Sequence, residues 1–335
     1  MVDLASGRLV VTGGAGFIGS ALVWALNRRG IDDILIVDRL DETEKWKHLV
    51  PLRFADYLDA DDFLAHAADG DDLGEIGTIF HLGACSSTTE TNSDYLMRNN
   101  FEYTKQLALW AYENDARFVY ASSAATYGAR ETELSDRADL HSLRPLNMYA
   151  YSKQLFDLYA ARTGLDQTIC GIKYFNVFGP NEEHKGNMRS LVNKAYDQIL
   201  NGGTVGLFKS YRPEFADGEQ RRDFIYVKDA IDMTLFLAES ETCGLFNVGS
   251  GRAQTWLELV RPIFAALDRP ERIEFVDMPE QLRSKYQYST CADMRSLHEA
   301  GYSKPPMSLT DAVTDYVRNY LVPGRSLDPA VDAAS

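Results

Sequence analysis

The sequence predicts an α/β fold: a doubly wound parallel sheet with a smaller mixed α/β C-terminal domain. Three observations carry that expectation. Apolar strand-like runs alternate with helical runs through the first half of the chain, which requires parallel strands covered on both faces. A glycine-rich turn, Gly13-Gly14-Ala15-Gly16-Phe17-Ile18-Gly19, links the first strand to the first helix, and Asp38 closes the second strand. In that order these features make the sheet Rossmann-type. The glycines let the backbone approach a pyrophosphate at the helix N-terminus, and the acid falls where a ribose hydroxyl partner belongs.

The elements follow in order. Arg8 to Thr12 reads as the first strand and Ser20 to Arg29 as the first helix; Ile34 to Val37 is the second strand. Arg39 and Lys45, beside Asp38, suit a 2′-phosphate, so NADP is expected, with NAD possible. Leu52 to Ala55 is the predicted third strand, Asp59 to Ala68 a helix and Thr78 to Leu82 the fourth strand. Gly83-Ala84-Cys85-Ser86 caps that strand with small residues against which a cofactor can lie. Tyr95 to Tyr112 is a helix carrying Asn99. Arg117 to Ser122 is the fifth strand, with Ser123 at its ligand-facing end. Gly171 to Phe175 is a strand that Asn176 to Pro180 terminates. Beyond it come a helix (Ser190 to Leu200), a strand (Val205 to Phe208), a polar loop (Lys209 to Gln220) and a strand (Arg221 to Val227). A helix (Asp229 to Ala238), a strand (Leu245 to Val248), a helix (Trp256 to Ala266) and a strand (Ile273 to Val276) follow. A loop (Arg283 to Tyr288) and a last helix (Leu309 to Tyr320) complete the chain. The expected organisation is a dinucleotide-binding domain over 1–180, to which 223–250 returns. Residues 181–222 and 251–322 form the substrate domain, and 323–335 a flexible tail.

Composition narrows the function. The 335 residues are 45% hydrophobic and 25% charged, with a net charge of -15. That charge disfavours nucleic acid and anionic membrane as partners, and no apolar run approaches a membrane span. The four cysteines are widely spaced and read as free thiols of a reducing, cytoplasmic compartment; the six histidines form no metal-ligand cluster. Lys185, Lys194, Lys209, Arg212, Arg221 and Arg222 concentrate positive charge in the second region, where an acidic protein that handles a diphosphate needs it.

Tyr149-Ala-Tyr-Ser-Lys153 carries the chemistry. On a helix, residues four apart share a face. An ammonium ~4 Å from a phenol, at an effective dielectric of ~20, favours the phenolate by about 4 kcal/mol. Such a tyrosine takes a proton from a substrate hydroxyl as hydride leaves the same carbon.

Gly13-x-x-Gly16-x-x-Gly19, Ser123 and Tyr149-x-x-x-Lys153 together resemble the extended short-chain dehydrogenase/reductases. Tyr174 to Pro180 and Arg222 to Val227 fit that superfamily's nucleotide-sugar enzymes. A closer resemblance is to the ADP-L-glycero-D-manno-heptose 6-epimerase family. It is carried by Gly13 to Ser20, Gly83 to Glu90, Tyr120 to Gly128 and His184-Lys185-Gly186. The resemblance implies an isomerase in lipopolysaccharide inner-core precursor synthesis that removes and returns hydride at C6 of an ADP-heptose with bound NADP. It implies Tyr149 and Lys185 as acid/base groups on the two faces, Lys153 as the residue that lowers the Tyr149 pKa, and Ser123 as the residue that positions the reacting oxygen. At cofactor positions it places Phe17, Ile18, Asp38, Arg39, Lys45, Leu82, Gly83, Ala84, Cys85, Ser86, Asn99, Lys153, Val177 and Lys185. At substrate positions it places Asn176, Asn187, Lys194, Phe208, Lys209, Ser210, Tyr211, Arg222 and Tyr286. It also implies a homo-oligomer, a pentamer. Ala60, Asn187 and Lys194 depart from residues seen in other members. The rival readings are a UDP-hexose 4-epimerase, a nucleotide-sugar 4,6-dehydratase, which would need a carboxylate beside Ser123 where Ala124 and Ala125 stand, and a nonenzymatic NADP-sensing regulator.

Overall fold

The computed structural model describes residues 2–70, 73–283 and 286–332. Ser284 and Lys285 of the predicted 283–288 loop, and 333–335 of the predicted tail, lie outside the described residues. Thirteen strands occur among the described residues: β1 Arg8–Thr12, β2 Ile34–Asp38, β3 Asp56–Asp59, β4 Ile76–His81, β5 Arg117–Ser123, β6 Cys170–Tyr174, β7 Asn176–Phe178, β8 Val205–Phe208, β9 Arg221–Arg222, β10 Phe224–Tyr226, β11 Gly244–Val248, β12 Gln254–Thr255 and β13 Ile273–Val276. Seven of them form one sheet in the order β11-β6-β5-β4-β1-β2-β3, with every pairing parallel. The chain starts at β1, winds out to β3, then returns to the other side of β1 with β4. That reversal opens a crevice at the C-terminal ends of β1 and β4, where open α/β sheets bind ligands.

Alternation along the strands divides the core. Leu9, Val11, Ile34 and Ile36 pack on one face with the helices Phe17–Arg28 and Val227–Glu239. Val10, Leu35, Val37 and Ile79 pack on the other with Ala60–Asp69, Tyr103–Glu113 and Met148–Thr163. This two-sided burial is why these strands read as unbroken apolar runs. The smaller region pairs β8 with β13 and packs the helices Leu191–Gly202, Trp256–Ala266 and Leu309–Tyr316 together.

Several elements differ from the sequence expectation. The third strand is Asp56–Asp59, not Leu52 to Ala55. As an edge strand it needs little apolar signal, and Leu52 is buried beside it instead. Asn176 to Phe178 does not simply end β6; it forms β7, paired in parallel with β10. Arg221 to Val227 is split: β9 pairs antiparallel with β12, Asp223 intervenes, and Val227 already begins a helix. The helix predicted from Tyr95 contains a π turn, Met97–Glu102, and the last helix ends in another, Val317–Leu321. The expected loose tail is packed as far as Asp332. The Trp24 indole donates to Asp332 (3.0 Å), the Leu327 amide donates to the Asn181 side chain (3.0 Å), and Leu327 is fully buried.

Lys173 of β6 is fully buried against Asp157, Nζ to Oδ2 2.7 Å. Lys173→Met strands the carboxylate, so it is expected to lower stability by about 3–5 kcal/mol, read as a lower urea midpoint at unchanged m-value.

Candidate functional site

The crevice is a cleft of about 770 Å³ that runs from the glycine turn to the smaller region. Its floor needs glycine. Gly13 has φ +69°, and a Cβ there would come within 2.7 Å of the Gly83 backbone; a Cβ on Gly19 would collide with the Gly13 carbonyl oxygen. Phe17 and Ile18 open the helix behind this turn and line the cleft with Gly13, Gly16 and Gly19. The glycines therefore let the turn fold tightly against its own backbone and the Gly83 loop at the helix N-terminus, an arrangement that fits a dinucleotide pyrophosphate. Gly19→Ala is expected to abolish cofactor retention, checked by the nucleotide absorbance released on denaturing the purified protein.

Asp38 sits at the end of β2 with its carboxylate engaged three ways. Oδ2 accepts the Ala15 amide (2.9 Å), while Oδ1 accepts the Arg39 amide (2.8 Å) and the Lys45 ammonium (2.8 Å). Lys45 lines the cleft; Arg39 does not. The Arg39 guanidinium is held by Asp61 (2.5 Å) and by Asn99 (2.6 Å). Leu82, Gly83, Ala84 and Ser86 line the opposite wall. Cys85 does not: Asn100, from the π turn, clasps its backbone N–H and C=O, each at 2.9 Å. Below them, His81 bridges Thr12 (2.7 Å) and Thr104 (2.8 Å). Thr104 spends its proton on the Asn100 carbonyl, so His81 carries its hydrogen on Nε2 and accepts from Thr12 on Nδ1. Burial holds this ring neutral, at about 3.

Ser123 ends β5, and Tyr149 and Lys153 project from the helix Met148–Thr163, whose N-terminus Asn147 caps by accepting the Ala150 amide. All three line the cleft, and the Ser123 hydroxyl lies near enough to the Tyr149 phenol to influence it. The charges do not behave as the spacing implied. Burial raises the Tyr149 pKa, only partly offset by Ser123. Burial also pushes Lys153 down to about 8. Desolvation of the phenol dominates and Lys153 is not among the groups that shift it, so the expected lowering of Tyr149 by Lys153 is not seen in this structure.

Lys185 reaches the same cleft from the turn Glu183–Met188, with its ammonium 5.2 Å from the centre of the Phe17 ring. Burial lowers its pKa, against the buried Glu182 carboxylate. Lys194, Phe208, Asn176, Val177 and Tyr286 also line the cleft. Arg222 lies just behind this wall, its guanidinium 5.8 and 5.0 Å from the Trp256 and Tyr286 ring centres, and no carboxylate pairs with it among the described residues. Asn187, Lys209, Ser210 and Tyr211 do not line the cleft. The Asn187 carbonyl accepts from Lys194 (3.2 Å), and Lys209 and Tyr211 both bind Asp277. Sequence reasoning missed His184, Arg189, Phe224 and Trp256, which line the cleft. His184 and Arg189 flank Lys185 in one charged turn, and that adjacency was the available signal. Among the described residues no helix is long and apolar enough to cross a membrane.

A parallel sheet with a glycine cradle, a Ser-Tyr-Lys set and a cationic second wall defines a nucleotide-cofactor enzyme of the short-chain dehydrogenase/reductase class. Residues 9–249 match the NAD dependent epimerase/dehydratase family. An ADP-L-glycero-D-manno-heptose-6-epimerase of Nitratidesulfovibrio vulgaris is 52% identical over 314 residues, which cover 93% of this chain and 97% of that one. Among solved structures, the Helicobacter pylori ADP-L-glycero-D-manno-heptose-6-epimerase superposes with TM-score 0.79 at 25% identity, covering 95% of this chain and 98% of that one. A UDP-N-acetylglucosamine 4-epimerase from Methanobrevibacter ruminantium also reaches 0.79 at 25% identity, covering 96% and 100%. The chain belongs to the NAD-dependent epimerase/dehydratase family and, within it, to the ADP-L-glycero-D-manno-heptose-6-epimerase family.

Proposed function

We propose that this protein interconverts ADP-D-glycero-D-manno-heptose and ADP-L-glycero-D-manno-heptose at C6, in the synthesis of a lipopolysaccharide inner-core precursor. The observation that carries the reading is that two proton-transfer groups from separate elements, Tyr149 and Lys185, line one cleft. Inversion brings the C6 oxygen to two orientations in turn, and a proton-transfer group at each one serves both. When bound, NADP (or NAD) supplies the acceptor that takes hydride from C6 and returns it. Ser123 holds the reacting oxygen, Tyr149 exchanges its proton on one face, and Lys185 does so on the other. Lys45 and Asp38 hold the adenosine end of the cofactor. Lys194 and Arg222 meet the substrate diphosphate, while Tyr286 and Trp256 keep the Arg222 charge partly desolvated. The glycine-cradle domain binds the cofactor, residues 181–222 and 251–322 bind the sugar nucleotide, and the working form is a cytoplasmic homo-oligomer.

Incubating ADP-D-glycero-D-manno-heptose with the purified protein, with no cofactor added, is expected to yield the L-glycero epimer by proton NMR. No conversion even after adding NADP or NAD would reject this substrate. A hexose 4-epimerase is the second reading, because the fold matches one such enzyme as well as it matches a heptose epimerase. Turnover of UDP-hexoses instead would establish it.

A further inference from the structure

We propose that the buried Asp157–Lys173 pair is a positioning device. It holds the helix that carries Tyr149 and Lys153 in register with the strand end that carries Ser123. The inference rests on the roles given above to those three residues.

Asp157 lies one helical turn after Lys153. Its Oδ2 accepts the Ser122 hydroxyl (2.7 Å) and the Lys173 ammonium (2.7 Å), and its Oδ1 accepts the Tyr120 hydroxyl (3.0 Å). Lys173 also donates to Thr126 Oγ1 (2.7 Å), and Thr126 in turn donates to the Ser123 carbonyl (2.8 Å). The pair therefore ties β5, β6, the turn after β5 and the catalytic helix together. Asp157 is 1% exposed and Lys173 0%. Stability alone does not account for such a pair, since well-packed apolar residues of similar volume often serve as well or better. What an apolar pair cannot supply is direction. Each bond here sets where Ser122, and so its neighbour Ser123, stands relative to the helix. The same carboxylate supports the charge of Lys153, which also acts on the neutral His81 of β4.

The test is the double variant Asp157→Leu with Lys173→Met in the full chain, with Tm, kcat and KM measured beside both single variants. A positioning role predicts that the singles melt early and that the double recovers part of the lost Tm, short of wild type because the Tyr120 and Ser122 hydroxyls lose their acceptor. In the recovered double, kcat stays down by about 100-fold with KM within about threefold, the scale of a 1 Å misplacement of reacting groups. A double variant that folds and keeps kcat within about threefold overturns the proposal, because the pair then only fills space. Should the double variant fail to fold, Ser122→Ala removes one bond to the strand end and keeps both charges. Its kcat is then expected to fall about tenfold at unchanged KM, with Tm lowered only by the loss of one buried hydrogen bond, and an unchanged kcat overturns the proposal. Tyr149→Phe is run alongside. If it keeps turnover, the reading of the site fails. If it is inactive while the double variant works at the wild-type rate, only the positioning role falls.

Discussion

Tyr149→Phe removes epimerisation while the protein stays folded and loaded with cofactor. The hydroxyl is the only atom lost, and it is the group that stands beside Ser123 at the cleft wall. Phenylalanine fills the same volume, so the helix Met148–Thr163 and its Asn147 cap stay in place. General acid–base catalysis is worth roughly 10²–10⁴-fold, and the rate should fall by that much. The measurement is conversion of ADP-D-glycero-D-manno-heptose by NMR, with circular dichroism and bound-nucleotide absorbance as controls. Turnover within a few fold of wild type would remove Tyr149 from the chemistry.

Lys185→Met is expected to cost as much, for a different reason. Methionine keeps most of the length and apolar body that packs over Phe17, and it deletes only the ammonium. If Lys185 works on one face and Tyr149 on the other, each variant blocks the full reaction but not necessarily a half-reaction. Near-normal epimerisation by Lys185→Met would reject the two-group assignment.

The pair also sets the pH dependence. The form that begins one direction has neutral Lys185 and protonated Tyr149. The form that begins the reverse has charged Lys185 and ionised Tyr149. These hold the same number of protons, so both directions share one bell-shaped profile in kcat/KM. Burial lowers Lys185 from its ordinary 10.5 and raises Tyr149 from its ordinary 10.0. Activity should therefore rise with pH along a limb centred below 10.5, as Lys185 loses its proton. It should fall along a limb centred above 10, as both groups lose theirs. A rate measured from pH 6 upward that shows no acid limb would contradict the assignment.

The Rossmann half of the chain was legible because its signals are local. Strands buried on both faces write themselves as Leu9-Val10-Val11 and Ile34-Leu35-Ile36, and a backbone cradle demands Gly13, Gly16 and Gly19. Edge strand β3 was misplaced because one open side relaxes the need for apolar residues. The short pairs β7–β10 and β9–β12 are held by contacts distant in sequence. Such pairings leave little periodicity to read in segments of two or three residues. Arg39 looked like a phosphate ligand because it follows Asp38, yet Asp61 and Asn99 hold its guanidinium away from the cleft.

The sequence by itself determined the doubly wound sheet, the glycine cradle, the helix that presents Tyr149 and Lys153 together, and the family. Each follows from the spacing of a few neighbouring residues. Only the tertiary structure decided which of the second region's cations line the cleft: Lys185 and Lys194 do, whereas Lys209 is drawn off by Asp277. It also reversed the expected direction of the Tyr149 shift and revealed that Asp157 and Lys173 meet beneath the site. Desolvation and ion pairing depend on everything packed around a group, and those surroundings are assembled from parts of the chain that no local spacing connects.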